Sequence, residues 1–330
     1  MKAIKWTAYG GPEVLKLANV TKPVPTDNQV LIKIMATSVS CGDTEMRGLN
    51  LPSLLIYPIR MMLGITKPKT ITILGQEFSG IIEKIGKDVK RFKIGDEVMG
   101  TCGMKFGSYA QFLTLPESNK TGTDGILIHK PTNIDFVTAA SVPIGALEGL
   151  EYMKKAQIKK DDKALIIGGG GSIGHYAIQI AKHFGAHVTA VDAESKLEMM
   201  TSIGADKVID FRKESFKSPN HYDIIFDVLC KSDYQDCVQS LKPSGRFLMG
   251  NLIPSSLLKS FWLGKDKKVI HGTAKHDVNE LLYVKELIEQ NVIKPVVRNV
   301  FDWENVVEAH AFAESGMKQG GIVLRVNHTD

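Results

Sequence analysis

A glycine-rich run, GGGGSIG at residues 168–174, constrains the fold of this chain more than any other feature. It follows KALII (163–167), a continuous apolar run typical of a strand buried on both faces. It leads into a helical pattern from Ile173 to Phe184. Within it, Gly169, Gly171 and Gly174 have the spacing G-x-G-x-x-G. A strand, a glycine turn and a helix in this order predict a βαβ unit and therefore a parallel sheet.

The same loop is a candidate site for a dinucleotide. Glycines allow a tight turn and let backbone N–H groups approach a pyrophosphate, whose negative charge the helix dipole favours. Asp192 lies 18 residues past Gly174, at the end of the next predicted strand, where a carboxylate can accept hydrogen bonds from both ribose hydroxyls of an adenosine. A glycine-rich corner without a ligand is the less favoured alternative. The candidate cofactor-binding residues here are Gly169, Gly170, Gly171, Ser172, Ile173, Gly174 and Asp192.

The charges that follow this strand bear on which dinucleotide binds. Asp192 favours NAD, since a carboxylate repels a 2′-phosphate. Lys196 and Arg212 favour NADP, as possible partners of that phosphate, although a lone Lys or Arg is more often an ordinary solvated charge. The sequence therefore favours NAD(H) over NADP(H).

The first third of the chain has a different pattern from the middle. Short apolar or alternating runs, separated by glycine turns, predict strands at Val30–Ala36, Ile71–Leu74 and Ser108–Leu115 and a compact, mostly β domain. From residue 163 onward, predicted strands alternate with helices. The tail adds a helix near Val278–Gln290 and a last strand at Ile322–Val326.

Composition excludes several classes of protein. With 330 residues, 43% apolar and 23% charged, the chain is long enough for two globular domains. The net charge of +5 has no basic run with interleaved aromatics, so nucleic-acid binding is not indicated. The four cysteines, at 41, 102, 230 and 237, form no CxxC pair, which fits a reducing cytoplasm. No membrane span is expected: the most apolar segment, Leu49–Pro68, is interrupted by prolines and Arg60 and predicts either a cover over the core or a lid over a substrate pocket.

Several stretches together resemble one known family. YGGPEVLKL, ILGQEFSGIIEKIGKDVKRFKIGDEVMG, GSYAQF and the C-terminal IKPVVRNVFDWENVVEAHAFAESGMKQGGIVLRV are similar to the medium-chain dehydrogenases/reductases, and in particular to their zinc-independent quinone oxidoreductase (zeta-crystallin-like) group. A signature of that group is matched by Leu165, Gly169, Gly170, Gly171, Gly174, Gln179 and Lys182. Ser172 stands where a glycine is usual.

The resemblance implies an α/β fold with a GroES-like, mostly β catalytic domain and a Rossmann domain built on a doubly wound parallel sheet. The expected bounds are 1–124 for the catalytic domain, 125–274 for the NAD(P)-binding domain, and 275–330 for a return to the catalytic domain. It also implies a homodimer formed through the edge of the Rossmann sheet near Lys268–Gly272.

The positions that bind zinc in the zinc-dependent relatives carry other residues here. The motif ATGVCxTD of those relatives corresponds to ATSVSCGD, so Ser40 stands at the cysteine position and Cys41 is one residue away. In ILGQEFSG, Gln76 replaces a histidine, and a neutral amide is a poor zinc ligand. The stretch VPIGALEG, near the third ligand position, has no Cys, His or Asp. No zinc is expected.

Without zinc, no Lewis acid polarises a carbonyl, so an acceptor that is already electron-poor is favoured. The expected reaction is hydride transfer from NAD(P)H to a quinone or another α,β-unsaturated carbonyl. The candidate catalytic residues are Ser40, Asp43, Tyr57 and Gln76, with Asp43 alternatively a structural acceptor and Tyr57 alternatively a packing residue. Gly250 and Asn251 are similar to the region that holds the nicotinamide in the family.

Two other functions stay open at this stage. An enoyl or enone reductase on the same fold differs in its substrate alone. A non-catalytic protein that senses nucleotides or binds RNA, as some zeta-crystallin relatives do, would bind a dinucleotide without turnover. The intact glycine loop and Asp192 argue against a chain that has lost its activity.

Overall fold

The computed structural model describes residues 1–50, 53–118, 122–250, 266–271 and 275–328, with the backbone alone at residues 53 and 54. These residues divide into two compact units. Unit 1 comprises residues 1–144, 276–289 and 297–330, and unit 2 comprises residues 145–275 and 290–296. In the described part of the chain, no helix is both long and apolar enough to span a membrane.

Unit 1 is built mainly of antiparallel strands. Two of them, β1 (Lys2–Trp6) and β2 (Leu15–Asn19), pair with each other. The larger sheet has the order β14-β15-β3-β4-β5-β7, and β6 pairs with β3. Its strands are β3 (Gln29–Ser38), β4 (Glu77–Ile85), β5 (Glu97–Thr101), β6 (Phe112–Pro116), β7 (Ile126–His129), β14 (Val297–Asp302) and β15 (Gly321–Arg325).

Helices connect or flank these strands in unit 1. They are α1 (Cys41–Gly48), α2 (Ser53–Leu63), α3 (Phe136–Ala139), α8 (Val278–Glu289) and α9 (Val306–Glu314). Phe78 of β4, Trp6 of β1 and Trp303 before α9 belong to one buried apolar cluster. This cluster contains residues from both ends of the chain, so the C-terminal segment is part of the core of unit 1.

Unit 2 contains a parallel sheet with the order β10-β9-β8-β11-β12-β13. The order reverses beside β8, where dinucleotides bind in sheets of this kind. Its strands are β8 (Lys163–Ile167), β9 (His187–Asp192), β10 (Lys207–Asp210), β11 (Tyr222–Asp227), β12 (Leu241–Met249) and β13 (Lys268–Ile270), and its helices are α4 (Pro143–Lys155), which begins in unit 1, α5 (Gly174–His183), α6 (Leu197–Ser202) and α7 (Tyr234–Ser240). Leu165 and Ile166 of β8 are fully buried, as the apolar run predicts for a central strand.

The predicted α/β class is confirmed, with two local corrections. Ile71–Leu74 is not a strand: within it, Ile73 makes an isolated bridge to Lys5. The strand predicted at Ser108–Leu115 begins only at Phe112, because Ala110 makes a single bridge to Ala3 instead of joining the ladder. In both cases the apolar residues pack against β1 rather than extend the large sheet.

The two units differ from the expected domain bounds at residues 125–144, residue 275 and residues 290–296. Residues 125–144 group with unit 1, because β7 pairs with β5 in the large sheet. The expected NAD(P)-binding domain began at residue 125. Residues 290–296, expected in the C-terminal return, group with unit 2.

Candidate active site

The glycine loop connects β8 to α5 in unit 2. Gly168 has a φ of +82°, and a Cβ on Gly174 would lie 2.2 Å from the Gly168 carbonyl oxygen, so the corner closes only with glycine at position 174. At Gly171 an added Cβ would meet that same oxygen at 3.5 Å, an ordinary contact. The loop is thus tight where it meets the helix and leaves room at Gly171. This shape fits a pyrophosphate held by backbone N–H groups at the start of α5.

Asp192 and Lys196 form an ion pair beside this loop. Asp192 Oδ1 lies 2.8 Å from Lys196 Nζ, and Oδ2 accepts a hydrogen bond of 2.9 Å from the Gly170 N–H. Both residues are buried, and the Lys196 side chain covers the position of a Cβ on Gly170. The carboxylate is therefore tied to the loop, and its charge is balanced by the lysine.

The other cofactor candidates lie in less defined surroundings. Arg212 follows β10 and is exposed, with its guanidinium 5.4 Å from the centre of the Phe211 ring. Gly250 follows β12, and a Cβ there would lie 2.4 Å from the Val228 carbonyl oxygen. Asn251 and Gly272 lie outside the described residues.

Ser40, Asp43 and Gln76 come together in unit 1. Ser40 is the N-cap of α1 and forms a capping box with Asp43: Ser40 Oγ accepts from the Asp43 N–H at 3.1 Å, and Asp43 Oδ2 accepts from the Ser40 N–H at 2.9 Å. The Ser40 hydroxyl also donates to Asp43 Oδ2 at 2.7 Å and lies 3.3 Å from Gln76 Oε1. The three side chains thus form one polar cluster, with Ser40 only partly buried.

Two buried acids occur here: Asp43, which belongs to the cluster, and Glu77, which follows Gln76 in the chain. Asp43 Oδ1 accepts from the Gly75 N–H at 2.9 Å, while burial raises the pKa of Asp43 to about 6 against the effect of its hydrogen bonds. Glu77 accepts from the Ser38 hydroxyl at 2.8 Å and from the Ile144 N–H at 2.9 Å. Burial raises the pKa of Glu77 to about 7, and the neighbouring Asp43 contributes to this rise. Both acids therefore titrate near neutral pH.

Tyr57 does not join this cluster. It lies on α2 with 69% of its surface exposed, and among the described residues it makes no hydrogen bond to Ser40, Asp43 or Gln76. Leu55, Met61 and Met62 of the same helix are exposed as well. This exposure does not fit the alternative interpretation of Tyr57 as a packing residue, and its catalytic role stays a prediction.

The residues at the positions that bind zinc in the zinc-dependent relatives are poor ligands for this ion here. Ser40 and Gln76 offer neutral oxygens, and Cys41 is exposed, with its Sγ 3.4 Å from Lys318 Nζ. Within the described ranges, no three His, Cys, Asp or Glu side chains are grouped so that they could hold a metal ion.

Sequence reasoning missed three residues behind the cluster. Arg47, Tyr109 and His310 are buried and connected by hydrogen bonds in unit 1. Tyr109 lies in GSYAQF and His310 in the C-terminal stretch that both carry the family resemblance, but neither stretch indicates that these residues and Arg47 meet, because they come from α1, the segment before β6 and α9. A histidine in the apolar stretch VVEAHAFA indicates a buried polar side chain that needs a hydrogen-bond partner, but the sequence does not identify that partner.

Two family models match the chain. Residues 26–123 match the alcohol dehydrogenase GroES-like domain, and residues 203–324 match a model described as zinc-binding dehydrogenase. The first match covers most of the antiparallel part of unit 1, and the fold is thus a GroES-like domain together with a Rossmann-like parallel sheet.

Similar proteins cover nearly the whole chain. A 2-methylene-furan-3-one reductase of Solanum lycopersicum is 30% identical over 342 aligned positions, which cover 98% of this chain and 79% of the relative. An NADPH-dependent alkenal/one oxidoreductase of Arabidopsis thaliana, described as chloroplastic, is 30% identical with the same two coverages. The structure of a quinone oxidoreductase from Coxiella burnetii is 27% identical, with a TM-score of 0.87 and 99% of each chain covered. The chain therefore belongs to the medium-chain dehydrogenase/reductase family of NAD(P)H-dependent oxidoreductases.

Proposed function

We propose that this chain transfers hydride from NAD(P)H to a quinone or another α,β-unsaturated carbonyl without a metal ion. The named reactions of the similar proteins support this acceptor class, since they include an alkenal/one oxidoreductase and a quinone oxidoreductase. An enone or enoyl reductase differs from this proposal in the acceptor alone and is its nearest alternative.

The Ser40–Asp43–Gln76 cluster is the observation that carries the proposal. A hydroxyl and an amide, joined at 3.3 Å, stand where zinc-dependent relatives have ligands. Such groups orient a carbonyl oxygen by hydrogen bonding but do not polarise it as a divalent cation does. Conjugated acceptors need less polarisation, because the charge that develops on transfer is delocalised over the conjugated system.

The contacts described above support the following proposed roles. A bound reduced nicotinamide supplies the hydride. Gly169, Gly170, Gly171, Ser172, Ile173 and Gly174 would hold the pyrophosphate of the dinucleotide, while Asp192 would accept from its adenosine ribose. The Gln76 amide N–H groups orient the acceptor oxygen, and the Ser40 hydroxyl, which Asp43 holds through a hydrogen bond of 2.7 Å, joins them by turning its single proton from Asp43 to that oxygen. The proton that completes the reduction comes from water, either directly or through the Ser40 hydroxyl, which takes a proton from water as it gives up its own.

We further propose a modest preference for NADH. The Asp192 carboxylate lies against the glycine loop, which disfavours a 2′-phosphate, but Lys196 balances its charge and limits the discrimination. Arg212 is exposed and follows the next strand, so its contribution to phosphate binding is smaller. Gly250 and Asn251 are proposed to contact the nicotinamide end.

The cellular setting and assembly are also proposals. Four free cysteines favour a reducing compartment such as the cytoplasm. A homodimer is proposed through β13, which ends the described parallel sheet and so leaves one edge for pairing with a second copy.

Initial rates on chelator-treated protein test the proposed reaction. NADH and NADPH oxidation are followed with a small quinone and, separately, with a small enone. We expect turnover that a chelator does not reduce. Loss of turnover on chelation, restored by zinc, would contradict the metal-free reaction. Turnover with the enone alone would select the reductase alternative.

A second outcome separates catalysis from binding. If dinucleotide fluorescence shows binding while neither acceptor is reduced, the chain is a nucleotide-binding protein rather than a reductase. The substitution Ser40→Ala is the matched variant, because it changes the acceptor-side cluster in unit 1 and leaves the glycine loop of unit 2 intact. We expect it to lower the rate without changing the dissociation constant of the dinucleotide.

A further inference from the structure

A buried polar chain lies directly behind the Ser40–Asp43–Gln76 cluster. Arg47 of α1, Tyr109 and His310 of α9 are each no more than 1% exposed. His310 Nδ1 lies 3.3 Å from Arg47 Nη1, and His310 Nε2 lies 3.0 Å from the Tyr109 hydroxyl oxygen. Arg47 also pairs with Glu314 at 2.5 Å, so the positive end of the chain is anchored.

The donors and acceptors in this chain have one consistent arrangement. A guanidinium only donates, so His310 Nδ1 accepts from Arg47. Burial, together with the positive charge of Arg47, lowers the pKa of His310 to about 3, and the ring is therefore neutral with its proton on Nε2. That N–H donates to the Tyr109 oxygen, which leaves the Tyr109 hydroxyl proton for another acceptor. The Tyr109 hydroxyl lowers the pKa of the neighbouring Asp43 carboxylate, and among the groups that do so its effect is the smallest.

Tyr109 also acts on Asp43 through packing. Gly75 has a φ of +90°, and a Cβ there would lie 2.4 Å from Tyr109 Cδ1, so the ring lies directly against the Gly75 backbone. The N–H of Gly75 is in turn a donor to Asp43 Oδ1. The position of Tyr109 thus influences two of the groups that fix the Asp43 carboxylate.

We propose that Tyr109 and His310 are positioning residues for the hydride acceptor: they hold Asp43 in the orientation in which its carboxylate fixes the Ser40 hydroxyl. The inference rests on the proposed function, because it assigns Ser40 to the acceptor side of that reaction. It makes α9, near the C-terminus, a functional part of a site whose other members lie before residue 110.

The ionisable groups around Asp43 determine how the titration of its carboxylate can be measured. Burial keeps the pKa values of Cys102 and Tyr109 far above neutral, and His310 stays neutral above about pH 3. Glu77 is therefore the neighbour that titrates in the same range as Asp43. The substitution Glu77→Gln removes that overlap and serves as the background for the test.

In this background, the titration of Asp43 is followed by carboxyl ¹³C NMR, with Asp43→Asn to assign the signal, and by the pH dependence of kcat. Tyr109→Phe keeps the ring and removes a donor to the carboxylate, so we expect the midpoint to rise by roughly half a pH unit. His310→Leu is expected to raise it similarly. His310→Gln is expected to restore it, because the Gln amide can donate to Tyr109. His310 acts on Asp43 only through Tyr109. The double variant Tyr109→Phe/His310→Leu is therefore expected to shift the Asp43 midpoint no further than either single substitution does.

Tyr222→Phe is the matched control, since it removes a buried hydroxyl in unit 2, where Tyr222 bonds the Phe216 carbonyl oxygen at 3.4 Å. It is expected to leave the Asp43 midpoint unchanged. If Tyr109→Phe lowers kcat equally at every pH and the NMR midpoint does not move, the positioning role is overturned and Tyr109 is a packing residue. If the midpoint moves although no form turns over a quinone or an enone, the positioning of Asp43 stands and the proposed function fails.

Discussion

At the scale of single residues, Gly42 restricts the position of Gln76. A Cβ at Gly42 would lie 2.5 Å from Gln76 Oε1, so the amide occupies space that only glycine leaves open. Gly42 lies in α1, and Gln76 lies just before β4. At the level of the sequence, only the family resemblance brings these two segments together. The close approach itself follows from the packing of α1 against the segment before β4.

Gly42→Ala is expected to displace the Gln76 amide from Ser40 while α1 remains folded, because Ala is the better helix former by up to about 1 kcal/mol. We expect kcat to fall by roughly tenfold, as for the loss of one orienting hydrogen bond of about 1.4 kcal/mol. Gly48→Ala, in the same helix, is the control, since its Cβ would meet only the flexible Asn50 side chain at 2.8 Å. Equal loss in both variants would mean that α1 as a whole is disturbed.

The Asp192–Lys196 pair allows a second test at this scale. Lys196→Met leaves the Asp192 carboxylate unbalanced, and we expect the NADH/NADPH ratio of kcat/KM to rise by roughly tenfold, about 1.4 kcal/mol. Asp192→Asn is expected to lower the same ratio. Arg212→Met serves as the comparison, because Arg212 is exposed. A larger effect of Arg212→Met than of Lys196→Met would assign the 2′-phosphate to Arg212 instead.

Sequence motifs were sufficient to name three residues that the structure brings into contact. Ser40, Asp43 and Gln76 were named from aligned motifs and do lie together. Their roles in catalysis stay predictions. Tyr109 and His310 were missed, because their hydrogen bond joins positions 201 residues apart and no local spacing records such a pair. The Asp192–Lys196 ion pair was also missed, since the sequence analysis treated the two charges as competitors rather than as partners.

At the scale of elements, the capping box of α1 connects helix stability to the candidate site. The Ser40 hydroxyl both caps the helix and donates to Asp43. Ser40→Ala is expected to cost about 1 kcal/mol of unfolding free energy, measured by urea denaturation. Ser40→Thr keeps the hydroxyl and should recover most of that loss. An unchanged unfolding midpoint in Ser40→Ala would show that the cap contributes nothing measurable.

Elements were predicted best where periodicity and burial agree. The β8–loop–α5 unit was found because an apolar run, four glycines and a helical pattern follow one another without interruption. The segment Ile71–Leu74 was wrongly predicted as a strand, because four apolar or β-branched residues satisfy strand propensity whether or not a neighbouring strand is available. Strand pairing is decided by tertiary structure, which short runs do not encode.

At the scale of the whole molecule, the two buried acids make stability depend on pH. The pKa of Glu77 rises from 4.5 to about 7, and that of Asp43 from 3.8 to about 6. Because the folded protein binds these protons more tightly than the unfolded chain does, the stabilisation is fully present below about pH 4 and is lost as the pH rises through about 7. These two groups therefore lower the unfolding free energy between pH 5 and pH 8.

Glu77→Gln is expected to flatten this dependence, because an amide can accept from the Ile144 N–H and donate to the Ser38 oxygen without carrying charge. At pH 8 we expect a gain of up to about 3 kcal/mol, and below pH 4 little change. Urea denaturation at several pH values measures it. The exposed pair Lys213–Glu194 offers a control, since Glu194→Gln removes a surface carboxylate and should leave the pH dependence unchanged. A parallel shift of the whole curve in Glu77→Gln would show that Glu77 does not titrate in this range.

The place of β15 in the large sheet has a consequence for biosynthesis. β15 lies between β14 and β3, so a strand made of residues 321–325 pairs with one made of residues 29–38. All six described strands of the parallel sheet lie within residues 163–270, and a ribosome has therefore translated them before β15 exists. During that interval residues 36–38 of β3 have no β15 to pair with, whereas residues 29–33 can already pair with β6. The antiparallel sheet is therefore begun first and completed last, and this short stretch of β3 is exposed to wrong pairing while the chain is being made.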